Sequence, residues 1–398
     1  MKDKLLTSFL FAAVFLALGS TALATTTWYV NGVSGSDSNN CLSATSACKT
    51  IGHTISLAAS GDSIMVAAAT YTENLTIGFS LKIVGSGSTT TIIDGGSAGT
   101  VVTISNSSAN VTLSKLTIRN GYDSHNGGGI SNPGTLTLVS STVSGNHASI
   151  FCILNCAAGG GGISNIGTMT IINSTLSTNS AVAGCRSKPS CKSGAFGGGI
   201  YNSGTLTINN STLSGNTAGA GTTAIGGGIY NNSGTLTINN STLSGNRAAL
   251  AGGIFIHGAL TLSNSTLSGN YGGGIFSSSS AVAVALQNSI VATSSNGGNC
   301  YGSLTSKGHN LSSDSTCNFS NTGDLNNTDP MLGPLQNNGG PTQTMALPSG
   351  SPAVDAGNPN GCTDGLGRPL RTDQRGKPRR DTEDTSGCDM GAYERQSD

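Results

Sequence analysis

Residues 197–216 read GGGIYNSGTLTINNSTLSGN, and residues 226–246 repeat this segment as GGGIYNNSGTLTINNSTLSGN. Related copies end at Asn146, Asn179 and Asn270. In each copy the segment corresponding to TLTI alternates polar and apolar residues with period two, which predicts a strand with one buried face. The strands of one copy are too short to pair with one another as hairpins. We therefore expect each strand to pair with its equivalent in the next copy.

Stacked copies predict an all-β fold, a three-sided parallel β-helix in which each copy forms one rung; its right-handed sense is what the family resemblance described below implies. Leu206 and Ile208 should point inward. Asparagine tolerates left-handed backbone angles at turns, and its side-chain amides can form hydrogen-bonded ladders between rungs. We therefore expect the asparagines of two columns to take left-handed angles and to form such ladders. These columns are Asn132, Asn165, Asn202 and Asn231, and Asn146, Asn179, Asn216, Asn246 and Asn270. A short helix within residues 48–59 should cap the N-terminal end, and an irregular segment the C-terminal end.

The composition supports β structure and excludes one class of partner. The 398 residues include 59 Gly, only 9% are charged, and the formal net charge is zero. Gly, Ser, Thr and Asn are poor residues for helix interiors, which disfavours a helical bundle. The chain also lacks the basic field that phosphate binding requires, so we expect no nucleic-acid partner.

The first residues resemble an export signal. Lys2 and Lys4 precede an apolar stretch at residues 5–18, and Ala22 and Ala24 provide the small residues of a cleavage site. The apolar stretch is too short to span a bilayer and no later segment qualifies, so no transmembrane span is expected in the mature chain. We divide the chain into a signal peptide (1–24), an N-terminal cap with the first irregular turns (25–125), the repeat β-helix (126–300) and a C-terminal cap (301–398).

All ten cysteines follow the predicted cleavage site and lie as close neighbours in the sequence. An exported chain favours five local disulfides, which pair Cys41 with Cys48, Cys152 with Cys156, Cys185 with Cys191, Cys300 with Cys317, and Cys362 with Cys388. Zinc is the alternative at Cys152 and Cys156, because His147 precedes them. We expect no metal and no cofactor.

The spacing between copies varies at one place only, where residues 147–159, 180–196 and 217–225 are inserted. Insertions of this kind emerge on one side of a repeat protein, often its binding side. Arg186, Lys188 and Lys192 cluster around one of the cysteine pairs within these insertions. They could bind an anionic glycan, and a solvated basic loop is the alternative reading.

The motifs resemble known bacterial proteins. The repeat resembles the Gly-Gly-x-Ile and x-x-x-Asn signatures of right-handed parallel β-helix proteins, including chlamydial polymorphic outer-membrane proteins. The choice-of-anchor Q domain is resembled by the segments DPMLGPL (329–335), NGGPT (338–342), GSPAVDAG (350–357), TDQRG (372–376) and CDMGAYE (388–394). The resemblance implies a secreted or surface-displayed protein with a pectin-lyase-like fold, usually without an established activity.

Enzymes of this fold class need carboxylates for hydrolysis or for holding calcium, yet residues 124–313 contain no Asp or Glu. We therefore expect a secreted or surface-associated, non-catalytic protein that binds polysaccharide or cell-envelope components through loops on one edge. Periplasmic residence is compatible with this reading. The alternative is a polysaccharide lyase or glycoside hydrolase that uses cap residues such as Asp62, Asp94 or Asp355. A regular outward array of threonines also suggests an ice-binding face, although outward threonine simply suits strands.

Overall fold

The computed structural model of the chain describes residues 25–186, 191–219, 223–379 and 387–396. The predicted signal peptide lies outside the described residues. Within them, the strands form three long sheets of eleven, ten and nine strands, in which neighbouring strands are parallel. The predicted fold class, an all-β three-sided parallel β-helix, is confirmed.

The long sheets are numbered by size. Sheet 1 contains Thr27–Val30, Ser63–Val66, Leu81–Gly85, Asn110–Ser114, Thr135–Val139, Thr168–Ile172, Thr205–Asn209, Thr235–Asn239, Ala259–Ser263, Ala283–Gln287 and Thr305–Ser306. Sheet 2 contains Ala69–Thr72, Thr91–Asp94, Thr117–Arg119, Thr142–Ser144, Thr175–Ser177, Thr212–Ser214, Thr242–Ser244, Thr266–Ser268, Ile290–Ala292 and Leu311–Ser312. Sheet 3 contains Leu75–Ile77, Val102–Ile104, Ile130–Asn132, Ile163–Asn165, Ile200–Asn202, Ile229–Asn231, Ile254–Ile256, Ile275–Ser277 and Cys300–Tyr301.

The strands stack in register, so equivalent residues form columns. In sheet 1, Leu206 pairs with Leu236 and Ile208 with Ile238, and all four side chains are fully buried. Burying a Leu or Ile side chain stabilises a fold by about 1.5–3 kcal/mol. Because each rung adds the same apolar positions, one continuous core of Ile, Leu and Val runs along the axis.

Two asparagine ladders link the rungs inside the β-helix. In the first, each side-chain amide donates to the amide oxygen of the next, over 2.9 Å from Asn146 to Asn179, 3.0 Å from Asn179 to Asn216, 2.9 Å from Asn216 to Asn246 and 3.1 Å from Asn246 to Asn270. The second joins Asn132, Asn165, Asn202 and Asn231, with 2.7 Å at each step. Both predicted ladders are confirmed.

The left-handed backbone angles lie at a different column of residues. In the turn between sheets 1 and 2, Asn210 and Asn240 have φ of 51° and 48°. The ladder residue Asn216 instead follows Gly215, which takes a φ of 63° and so carries the left-handed angle itself. The expectation that the ladder asparagines would take this conformation is wrong; in the first ladder the preceding residue takes it instead, a glycine before four of the five asparagines and Thr178 before Asn179.

A short helix covers the N-terminal end of the core. The α-helix Ile51–Leu57 follows the 3-10 helix Ala44–Ser46, and Ile51 and Ile55 are buried in the main core cluster. The Glu73 carboxylate accepts hydrogen bonds from the backbone N–H groups of Ile51 (2.9 Å) and Gly52 (2.7 Å). These bonds satisfy N–H groups that have no partner within the helix.

The C-terminal segment, residues 329–379 and 387–396, lies along the outer face of sheet 2. The Gln374 side chain donates to Thr212 Oγ1 (2.8 Å) and accepts from Thr242 Oγ1 (2.6 Å), so it joins two rungs. The segment includes a hairpin of strands Leu335–Gln336 and Thr344–Met345. A second apolar cluster holds it to the last rungs and comprises Ile290, Ala292, Leu311, Leu347, Ala353 and Met390.

Three ion pairs lie within this C-terminal segment among the described residues. Arg375 pairs with Asp373 at 2.8 Å, and Arg368 with Asp364 at 2.7 Å. The third joins Arg379 and Glu394 at 3.0 Å, and both side chains are almost completely buried. The Arg379 guanidinium also donates to Asn240 Oδ1 (2.8 Å), which ties the segment to the β-helix.

All ten cysteines form disulfides, so the predicted presence of disulfides is confirmed. The bonds join Cys41 to Cys48, Cys152 to Cys156, Cys185 to Cys191, Cys300 to Cys317, and Cys362 to Cys388. Each bond closes a short stretch of chain, which makes it a local constraint rather than a link between distant rungs.

Candidate binding surface

The insertions between the repeats fold into two small sheets at the side of the β-helix. Sheet 4 contains Tyr122–Asp123, His147–Cys152, Ser180–Cys185 and Thr217–Gly219, and sheet 5 contains Cys156–Gly159, Ser193–Phe196 and Thr223–Ile225. Each strand pairs in parallel with its equivalent in the next rung. We call these two sheets the fin. The insertions lie along one edge as expected, but they are strands where we expected loops.

Alanine side chains fill the space between the two sheets of the fin. Ala148, Ala158 and Ala183 form one buried cluster, and Ala181, Ala195, Ala218 and Ala248 form another. Ala148 pairs with Ala181 and Ala158 with Ala195, so the rung-to-rung register of the β-helix continues into the fin. Such segments lack the large alternating apolar residues from which strands are usually predicted.

The disulfides Cys152–Cys156 and Cys185–Cys191 lie next to each other at the tip of the fin. The Sγ atoms of Cys152 and Cys191, which belong to adjacent loops, are 3.8 Å apart. The Arg186 N–H donates to Cys152 O at 2.8 Å, and the Lys192 N–H donates to Asn155 Oδ1 at 3.2 Å. Two of the predicted basic binding residues, Arg186 and Lys192, therefore flank the same tip. The third, Lys188, lies outside the described residues.

A column of aromatic rings runs along the outer face of sheet 3. Ring centroids lie 5.5 Å apart from Tyr201 to Tyr230, 5.4 Å from Tyr230 to Phe255, 4.9 Å from Phe255 to Phe276 and 4.4 Å from Phe276 to Tyr301. Phe196 of sheet 5 contacts the column, with its centroid 4.9 Å from that of Tyr230. The column thus begins where the fin meets the β-helix.

Sequence reasoning missed the aromatic column, although its signal is present. In five successive rungs the residue after the first inward residue of sheet 3 is aromatic, as in Ile200-Tyr201 and Ile229-Tyr230. Burial raises the pKa of Tyr230 to about 12, and the nearby Tyr201 hydroxyl adds to the shift. The Tyr230 hydroxyl therefore stays protonated at neutral pH and donates to Asn232 Oδ1 at 3.3 Å.

A shallow depression of about 470 Å³ lies on the outer face of sheet 5. Small residues at Ala157 and Gly194 leave room for it, and the Phe196 ring lies over Gly194 at its border. Its lining comprises Asn155, Cys156, Ala157, Lys192, Ser193, Gly194, Phe196 and Thr223. The depression brings an ammonium group, an aromatic ring and polar side chains together on an exposed surface.

Two carboxylates considered for catalysis have structural roles. Asp62 accepts from Trp28 Nε1 (2.8 Å) and from two backbone N–H groups, and Asp94 pairs with Arg119 (2.8 Å). Burial acts to raise the pKa of each carboxyl group, but these hydrogen bonds outweigh it and leave both pKa values lowered. Both groups are therefore ionised at neutral pH and engaged with the fold. Asp355 lies in the C-terminal segment, where its N–H donates to Asp389 Oδ1.

Cysteines and histidines come close together at one place among the described residues. Cys41, Cys48 and His53 have potential ligand atoms within 4.8 Å of one another, but the two sulfur atoms form a disulfide and are not thiolate ligands. Cys152 and Cys156, which were considered as zinc ligands, also form a disulfide and are not thiolate ligands.

The outer face of sheet 1 carries the threonine array. Thr168 pairs with Thr205 and Thr170 with Thr207, and the next rung repeats both positions. The residues form two parallel columns of hydroxyl and methyl groups. An ice-binding role for this face stays an alternative prediction.

Comparisons with known proteins give a fold likeness without an assigned activity. No protein-family model matches the chain, and no curated protein matches it. A pectate lyase structure, Pel9A, has a TM-score of 0.44 and 17% identity, covering 94% of this chain and 98% of its own. A pectin methylesterase bound to a hexasaccharide has a TM-score of 0.31 and 13% identity, covering 73% of this chain and 79% of its own. Neither likeness assigns an activity to this chain.

Within the described residues, no helix has the length and apolar character needed to cross a bilayer.

Proposed function

We propose that this chain is a non-catalytic, surface-associated β-helix protein that binds an acidic polysaccharide or another anionic glycan of a cell envelope through the fin. One observation carries the proposal. The depression on sheet 5 brings Lys192 and polar groups together with Phe196, from which the aromatic column extends along sheet 3.

The groups at this surface suit the chemistry of an acidic sugar. The Lys192 ammonium is exposed and could pair with a uronate carboxylate or a sulfate. The Thr223 hydroxyl and the Asn155 amide supply hydrogen-bonding groups for sugar hydroxyls, and the Phe196 ring supplies an apolar face.

The charge distribution favours an anionic ligand. Residues 124–313 contain no Asp or Glu, so no acidic residue neighbours Arg186 and Lys192 in the sequence. Every ion pair among the described residues joins side chains outside the fin. Asp123, in the first strand of sheet 4, is the one acidic residue in the strands of the fin, whereas the tip carries Arg186 and Lys192, so the tip presents positive charge on a chain whose net charge is zero.

The proposal is tested by isothermal titration of the exported chain with a polyuronate and with a neutral glucan. We expect binding to the polyuronate that weakens as salt is added, because exposed charges are screened. Lys192→Glu should lower the affinity about tenfold or more, since it replaces an attraction of about 1 kcal/mol with a repulsion of similar size. Lys307→Glu makes the same charge change at an exposed site outside the fin and should leave the affinity unchanged. Equal binding by Lys192→Glu and the unaltered chain would contradict the proposal.

The proposed function also includes a type for the C-terminal cap and a cellular location for the chain. We propose that residues 301–398 form a choice-of-anchor Q-like cap on the repeat β-helix, and that residues 1–24 direct export to the cell surface, the exterior or the periplasm. The supports are the sequence motifs quoted above, the contacts of the C-terminal segment with sheet 2, and the five disulfides.

A further inference from the structure

The tip of the fin exposes a cluster of large apolar side chains. Phe151, Ile153 and Leu154 are 52%, 55% and 69% exposed. Other exposed large apolar residues of the described chain, such as Val33 and Ile166, do not form a run of this kind. Scattered exposed apolar residues are ordinary on a protein surface, but a projecting cluster marks an interaction site.

The tip is built to hold this shape. The disulfide between Cys152 and Cys156 closes the loop that carries Ile153 and Leu154. Leu154 O lies 3.0 Å from Cys191 Sγ of the neighbouring disulfide, so the two cross-linked sites are in contact. Ile153 and Leu154 are thus presented outward on a small, cross-linked loop, and the half-exposed Phe151 ring lies at its base against Gly184.

Basic side chains stand beside the apolar cluster. The Arg186 and Lys192 backbones are hydrogen-bonded to the loop at Cys152 and Asn155, and both side chains are exposed. An apolar projection with adjacent cations complements a surface that has anions outside and hydrocarbon beneath. A groove of a partner protein would need a matching concave shape, whereas a bilayer accepts any small convex apolar loop.

We propose that the tip of the fin inserts Phe151, Ile153 and Leu154 into the interface of an anionic lipid bilayer, while Arg186 and Lys192 contact the headgroups. This activity goes beyond the proposed glycan binding, because its apolar groups lie outside the depression on sheet 5. Insertion at the tip would hold the chain at a membrane with the β-helix above the surface.

The test is co-sedimentation of the exported chain with vesicles of phosphatidylglycerol and phosphatidylcholine, compared with vesicles of phosphatidylcholine alone. We expect binding to the mixed vesicles, weaker binding to the neutral ones, and release by salt. The double variant Ile153→Ser/Leu154→Ser should lower the partition coefficient at least about tenfold, because two aliphatic side chains no longer enter the apolar region. Ile166→Ser removes a similarly exposed isoleucine outside the fin and should bind like the unaltered chain.

A second readout reports the insertion itself. Trp28 is the only native tryptophan, so a Leu154→Trp variant adds a single probe at the tip, whose emission should shift to shorter wavelength on the anionic vesicles. Failure of the unaltered chain to bind the mixed vesicles, or unchanged binding by the double serine variant, would overturn the proposal. The double variant should bind polyuronate normally, so loss of membrane binding and loss of glycan binding are distinguishable.

Discussion

Replacing Arg379 with methionine is expected to lower the free energy of unfolding by about 3–5 kcal/mol, because it removes one member of a buried ion pair. Arg379 and Glu394 are 2% and 1% exposed at their side chains. The same guanidinium donates to Asn240 Oδ1 and to Gly391 O, which also lose their donor. The change therefore removes the pair and one of the connections between the C-terminal segment and the β-helix.

Urea unfolding followed by circular dichroism, with hydrogen exchange of residues 387–396, measures this loss. Arg368→Met is the matched control, because it breaks an ion pair whose arginine side chain is 71% exposed. Exposed pairs contribute about 0–1 kcal/mol, so the control should stay near the unaltered chain. The double variant Arg379→Met/Glu394→Met should recover much of the loss, because it removes the buried carboxylate as well. Equal stability of the two single variants would show that the buried pair has no special role.

Replacing Asn216 with aspartate is expected to destabilise the β-helix by about 4 kcal/mol or more at neutral pH. The Asn216 side-chain nitrogen donates to Leu176 O at 3.0 Å and to Asn246 Oδ1 at 2.9 Å, in a fully buried column. A carboxylate would point an anionic oxygen at these two acceptors. The cost falls on the charged form, so burial should raise the folded-state pKa of the new aspartate above its unfolded value near 3.9.

This shift gives the variant a specific pH dependence. The stability of Asn216→Asp, compared with that of the unaltered chain, should be greatest below the pKa of the new aspartate in the unfolded state, because the neutral acid can donate one hydrogen bond. It should fall as the pH rises through the raised pKa of this aspartate in the folded state. Unfolding of the variant and the unaltered chain compared between pH 3 and pH 8 measures the effect. Asn110→Asp, at an exposed position of sheet 1, is the control and should change stability by about 0.5 kcal/mol or less. A constant difference across this range would contradict the buried-ladder account.

The core could be predicted from the sequence because it repeats. Leu206 and Ile208 recur at equivalent places in successive copies, and parallel stacking is the arrangement that buries them all. The fin could not be predicted as strands, since Ala148 and Ala183 are too small to produce a clear apolar alternation. Its strands depend on the register supplied by the neighbouring rungs.

The candidate surface was predictable in part. The variable insertions indicated the edge, and the basic character of Arg186 and Lys192 was visible in the sequence. The contact of Phe196 with Tyr230 could not be predicted from the sequence, because it joins an insertion to the outer face of a different rung. The Arg379 and Glu394 pair was missed for a similar reason, since only the folded C-terminal segment brings the two side chains into one buried site.

The fin itself provides the most direct test of the functional account. Later rungs connect sheets 2 and 3 without a fin, as at Asn270, Tyr271 and Gly272. Replacing the three insertions with this short connection should preserve the parallel β-helix, because the main core contains no residue of the fin. With its β-sheet circular dichroism retained, the shortened chain is predicted to lose polyuronate binding in the same titration. A shortened chain that binds the polyuronate as tightly as the full chain would contradict the account.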